Sequence, residues 1–412
     1  MMRKIFITTI LVLFVGLFNT EACTTAVISG KATKDGRPLL WKHRDTWATK
    51  NKIMQFTDGK YDYIGLVNSG DKTGKSIWIG YNSAGFAIMN SASYNLNNDT
   101  IEQTGLEGQL MKKALQTCAT VDEFEQFLKD LPQPTRLEAN FGVIDAQGGA
   151  AEFELANFHY VKFDANDPKQ APNGYLVRSN YSVSGEFGKG GGYTRYRTAE
   201  EVFYQAIGNH NFDVMTIAQG ASRNLTHSLT KENLWNYINL PKNNPKYVCL
   251  KDFIPRSGSA SSITIQGVKK DEDASLTTMW SIVGFPLTSV CIPLWIDNKT
   301  ELPKIVQYDP EVKDSPICHA ALTLKKDVYS YRLGSHSKYY INVNTLLNSD
   351  GSGFLQILKP LEDEIYVKST KMIAKWYEDG KKDKAEMKEF YQWLDERING
   401  YYSEHFGLRL LN

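Results

Sequence analysis

Beyond an apolar N-terminal run, short β-branched and apolar stretches separated by turn residues govern the first part of the chain. β-Branched and apolar residues at 24–29 read as a strand, Lys34, Asp35 and Gly36 as a turn, and 37–42 as the returning strand. Short strands are expected at 63–67, 76–79 and 86–89, the last two joined through Asn82, Ser83, Ala84 and Gly85. Apolar residues at helical spacing mark 107–118 and 121–128, with Thr120 placed to cap the second helix. Strand patterns return at 141–145 and 151–155 around a Gln147-Gly148-Gly149 turn, and again at 161–163 and 175–178. Helices are expected at 198–208 and 213–221, strands at 261–266 and 277–283, and a helical tail at 366–404 with a break near Gly380. Strands, a helix pair and strands again predict an α+β fold of layered, mostly antiparallel sheets. Neither an internal repeat nor a low-complexity linker divides it.

The N-terminus has its own pattern. Arg3 and Lys4 precede an apolar run over 5–18, shorter than the ~20 residues of a membrane span. Thr20 and Ala22 place small residues at −3 and −1, so residues 1–22 read as a signal peptide cleaved before Cys23. The expected location is exported, periplasmic or secreted, with no stable membrane span. The expected division is 1–22 leader, 23–345 main domain and 346–412 helical C-terminal extension.

Composition narrows the function. With 412 residues, 42% hydrophobic content and a formal net charge of +1, the chain can build a large core and lacks the basic surface of a nucleic-acid binder. The seven histidines show no ligand spacing and no zinc-type CxxC pair occurs, so neither a metal nor another cofactor is expected. The glycine-rich stretch 185–192 lacks the Lys-Ser/Thr of a phosphate loop and is read as a flexible loop beside the site. Five scattered cysteines do not form a small-domain disulfide framework, and an odd number leaves at least one thiol unpaired within the chain.

Cys23 admits three readings. A lipid anchor wants Leu at −3 and a flexible tether after the cysteine, whereas here Thr20 holds −3 and a strand follows at once. A buried thiol is the ordinary structural alternative. The third reading is an N-terminal nucleophile. A free α-amine, with a pKa near ~8, can take the thiol proton, so nucleophile and base lie in one residue.

The stretch "CTTAVISGKATKDGRPLLWKHRDT" from Cys23 onward resembles the mature start of cysteine N-terminal nucleophile (Ntn) hydrolases: bile salt hydrolases, penicillin V acylases and, above all, acyltransferases of the isopenicillin N type. The resemblance covers roughly residues 23–300 and implies a four-layer αββα sandwich. It implies Cys23 as nucleophile and Asp45 as the group that holds and polarises its amine and thiol. Lys42 stands where the family has arginine, and Arg44 is on the other face of the strand from Asp45, so both enter as substrate-binding candidates. "GYNSAGFAIMN" offers Asn90 to an oxyanion, "LVRSNYSVSG" places Asn180 at the second asparagine, and "YTRYRTAEEVF" places Arg195 at the head of a helix. The implied activity is cleavage of a linear, non-peptide amide through a thioester. The alternatives are transfer of the same acyl group to an amine, and a surface lipoprotein that binds glycan or peptide. The expected partner is a small-molecule acyl amide, with a second copy of the chain left open.

Overall fold

A computed structural model describes residues 22–331, 333–334 and 336–411; apart from Ala22, the expected leader lies outside the described residues. In chain order the elements are β1 (Ala22–Ile28), β2 (Leu39–Asp45), β3 (Asn51–Phe56), β4 (Tyr63–Asn68), β5 (Ile79–Asn82), β6 (Ala87–Ala92), α1 (Glu107–Thr117), α2 (Val121–Lys129), β7 (Ala139–Ile144), β8 (Ala150–Leu155), β9 (Tyr160–Asp164) and β10 (Tyr175–Arg178). There follow α3 (Tyr193–Gly208), β11 (Tyr247–Cys249), β12 (Ser259–Gln266), β13 (Thr278–Val283), β14 (Cys291–Leu294), α4 (Pro316–Val328), β15 (Tyr340–Asn342), α5 (Val343–Leu346), α6 (Phe354–Asp379) and α7 (Lys384–Phe406).

Thirteen of the strands make two antiparallel sheets. The first has six strands in the order β10-β1-β2-β12-β13-β14, the second seven in the order β3-β4-β5-β6-β7-β8-β9. The sheets pack face to face where β1 and β2 cross β6 and β7. Val27, Leu40, Met89 and Ile144 lie in this inner core. Because each sheet is covered on both faces, its strands are buried nearly throughout rather than on alternate residues, as in β1, β2 and β7. The outer face of the seven-stranded sheet is covered by α1 and α2, whose Met111, Leu115 and Phe124 pack on Phe86, Phe141 and Phe153. The outer face of the six-stranded sheet is covered by α3, α4 and α6. The result is the αββα sandwich expected of an α+β chain.

Local chemistry explains the boundaries. Thr120 Oγ1 accepts the Glu123 amide at 3.1 Å and starts α2. Gly380, at φ +67°, ends α6 in the left-handed conformation that glycine adopts without strain. The C-terminal helices join the same core as the sheets: Trp376 lies edge-on to Trp295 at 5.0 Å, and Tyr391 donates to the Trp295 carbonyl at 3.3 Å.

Several expectations shift. The strand placed at 76–79 is Ile79–Asn82, because residues 76–78 belong to the approach loop. The helix placed at 213–221 is a single wide π-helical turn over Thr216–Ala221, started by Asp213 Oδ1 accepting the amides of Met215 and Thr216. The tail helix begins at Phe354, twelve residues before the expected 366, because Pro360 sits within its first two turns and hides the start.

Candidate active site

Cys23 is the second residue of β1 and is buried. β1 lies between β10 and β2, and Cys23 stands directly opposite Arg44. Directly opposed residues share a face, so the thiol, Thr25, Lys42 and Arg44 all turn toward the second sheet. That sheet receives the two cations. Arg44 Nη1 donates to Asn51 Oδ1 at 2.7 Å and to Asn68 Oδ1 at 2.9 Å, with its guanidinium 4.4 Å from the Trp78 ring centroid. Lys42 Nζ donates to Asn90 Oδ1 at 2.5 Å. A lysine can only donate, so the amide oxygen of Asn90 must face it, and the NH2 is the end that remains to donate elsewhere. Desolvating two cations is costly unless such partners compensate.

At the amine end the contacts converge. Asn180 follows β10, and its Oδ1 accepts the Cys23 backbone N–H at 3.1 Å and Arg195 Nη2 at 2.7 Å. Asn180 Nδ2 donates to the Ala92 carbonyl of β6 at 2.9 Å, tying the two sheets together at this point. Arg195, in the first turn of α3, also donates to the Cys23 carbonyl and, at 2.8 Å, to Thr24 Oγ1. Its guanidinium is fully buried. Burial first, and then the neighbouring Arg256 charge, bring its pKa down to about 9, against the pull of Asp45 and Cys23. Gly192, the residue before α3, has φ +86°, and any side chain there would collide with the Arg195 guanidinium and Ser179 Oγ. The loop before it is anchored at its base. Asn180 and Gly191 pair through two backbone bonds, and Asn95 Nδ2 donates to the carbonyls of Ser182 and Glu186.

Asp45 stands opposite Ala22, one residue before Cys23, on the face away from the thiol. Its Oδ2 accepts Arg256 Nη2 at 2.7 Å and its Oδ1 accepts Ser259 Oγ at 2.5 Å. Ser259 Oγ has one proton and gives it to Asp45. His43 Nε2, 2.8 Å from the same oxygen, must therefore be the donor of that pair. His43 is neutral: burial, above all, pulls its pKa down to about 4 despite Asp45 nearby. Lys325 Nζ donates to the Ser257 carbonyl at 2.6 Å and braces the turn that carries Arg256 and Ser259. Burial lowers the Lys325 pKa to about 8.

Of the residues singled out in the sequence, the structure thus joins Cys23, Asn180 and Arg195 by direct hydrogen bonds and sets Asp45 beside the amine end. Asn90 and Lys42 form a separate pair between the sheets. Arg44 is held by the second sheet. The cluster around Asp45 was not anticipated: Arg256, Ser259 and Lys325 went unmarked, and His43 entered only as one of seven histidines without ligand spacing. The available signal was Arg256-Ser257-Gly258, a turn leading directly into the strand motif "GSASSITIQG".

The chain matches no protein-family model and no curated protein. Solved structures to which it is similar include the following. A variant of the conjugated bile acid hydrolase of Clostridium perfringens is 12% identical, with 68% of this chain and 94% of that one covered and a TM-score of 0.40. The N-acylethanolamine-hydrolyzing acid amidase ortholog of Caenorhabditis elegans is 13% identical, with 61% and 95% covered and a TM-score of 0.39. The penicillin V acylase of Agrobacterium tumefaciens is 14% identical, with 68% and 87% covered and a TM-score of 0.38.

Proposed function

We propose that the chain is an exported amide hydrolase whose mature form begins at Cys23 and which cleaves a linear, non-peptide acyl amide through a thioester on that residue. One observation carries the reading: the amide nitrogen of Cys23, the Asn180 side-chain oxygen and the Arg195 guanidinium meet at one end of a central strand.

With Ala22 removed, that nitrogen is a free amine. It takes the thiol proton, and the thiolate attacks the substrate carbonyl carbon. The carbonyl π electrons move onto oxygen, where amide N–H donors such as the NH2 of Asn90 stabilise the charge. As the C–N bond breaks, the Cys23 ammonium returns its proton to the departing amine, leaving a thioester. Water, deprotonated by the same amine, then attacks the thioester and releases the carboxylic acid. Asn180 fixes the direction of the amine, and Arg195 fixes both Asn180 and the Cys23 carbonyl.

The test is intact mass and N-terminal sequencing of protein exported from a native-like host, before and after exposure to a thiol-directed acyl-amide probe. A chain that begins at Cys23 and gains one probe mass, with the gain lost in Cys23→Ala, is the expected result. Lipid on Cys23, or a start elsewhere with an unreactive Cys23, refutes the reading and favours a surface binding protein.

A further inference from the structure

Arg256 contacts the acyl side of the bond that the proposed maturation breaks, and it also holds the neighbouring carboxylate of Asp45. Its Nη2 is 2.7 Å from Asp45 Oδ2 and 3.4 Å from the Ala22 carbonyl oxygen. Within a peptide unit that oxygen lies only ~2.3 Å from the following nitrogen. Nη2 is therefore within about 6 Å of Cys23 N. Among the described residues it is the guanidinium paired with Asp45. Its backbone N–H also donates to Ser259 Oγ at 3.0 Å, so one residue organises both oxygens of the carboxylate.

We propose that Arg256 is a positioning residue for the amine of Cys23, acting through Asp45: it fixes the carboxylate beside the amine and supplies the positive charge that offsets it. The inference rests on the reading of Cys23 as the mature N-terminus. A lone buried carboxylate next to an ammonium would hold the proton tightly and disable the amine as a base. An arginine charge paired with that carboxylate and itself close to the amine removes most of this pull. The other charged groups on the elements that meet near here are Lys42, Arg44 and Asp45 on β2, Arg178 on β10 paired with Glu154 on β8, Arg195 on α3, Lys325 on α4 and Asp252 in the segment before Arg256, with His43 neutral. Arg256 is the one bonded to Asp45, and its contact with the Ala22 carbonyl, which maturation removes, marks how close it lies to the amine.

The experiment uses protein produced with Cys23 as its first residue and labelled with 13C-cysteine. The Cys23 signal is identified by its loss in Cys23→Ala, and its Cα shift is followed against pH. Arg256→Met removes the charge and the hydrogen bond, Arg256→Gln keeps a donor without the charge, and Arg256→Lys keeps the charge. The amine midpoint is expected to rise by about one unit in the Met and Gln variants, the scale of one charge within ~6 Å at an intermediate dielectric. It should stay near the native value in Arg256→Lys. The acid limb of kcat/KM should move with it. An unmoved midpoint in a folded Met or Gln variant, or an equal shift in all three, overturns the proposal. Because the titration needs no turnover, it decides the role of Arg256 even if Cys23 proves unreactive toward amides.

Discussion

Glu152 provides a stability test independent of the site. It lies on β8, fully buried, and neither carboxylate oxygen has a hydrogen-bond partner among the described residues. It is cross-strand from Gly142, in the space where Val27 and Met89 pack between the sheets. Burial lifts its pKa from 4.5 to about 8; Arg178 opposes the rise and Glu154 adds to it. The folded chain therefore holds a proton that the unfolded chain releases across this window. The contribution is fully present below pH 4.5 and is lost as pH rises toward 8. At 1.36 kcal/mol per unit, holding that proton costs about 1 kcal/mol at pH 5 and about 3 kcal/mol at pH 7. Glu152→Gln cannot ionise. Relative to it, the native chain should lose about 2 kcal/mol between pH 5 and pH 7. Denaturant unfolding of both proteins at the two pH values reads this directly, and the comparison cancels the pH-independent effect of the amide. Parallel loss in the two proteins would mean that the Glu152 pKa is close to that of an ordinary carboxylate, and the reasoning would fail.

Other expectations are simpler. Asn180→Ala removes the acceptor of the Cys23 N–H and the tie to Ala92, and should lower kcat by about 10²-fold with the fold retained by circular dichroism. Trp376→Ala should cost about 3–5 kcal/mol by chemical denaturation, because the ring is fully buried against Trp295; a loss under ~1 kcal/mol would mean that the C-terminal helices add little to the core. Phe187, 99% exposed at the tip of the loop beside the site, should be replaceable by Ala with thermal stability changed by no more than ~0.5 kcal/mol.

The hydrophobic pattern was most informative where elements are short and local. α1 and α2 begin within a residue of their expected starts, because Thr120 and the helical spacing act within one or two turns. It was least informative where neighbours decide the element. β3 and β14 are the edge strands of the two sheets and lack clean alternation of apolar and polar residues, and α4 covers the outer face of the six-stranded sheet; none of the three was anticipated. The site divides the same way. Cys23, Asn180 and Arg195 were legible because each belongs to a short motif, and the structure brings them within hydrogen-bond distance of one another. Arg256 and Lys325 were not, since their importance comes from what the pairing of β2 with β12 places beside Asp45, more than 200 residues away in sequence.

That pairing also sets an order of events. The proposed nucleophile is close to the beginning of the chain, yet β1 is completed on one side by residues 175–178, and its neighbour β2 by residues 259–266. Contacts of such separation form late and slowly in folding. A partly synthesised or partly folded chain thus carries its reactive thiol without the groups that would arm it. Chemistry at Cys23 should switch on as one of the last steps of assembly, so the time course of probe labelling during refolding would follow closure of the six-stranded sheet rather than formation of the helices.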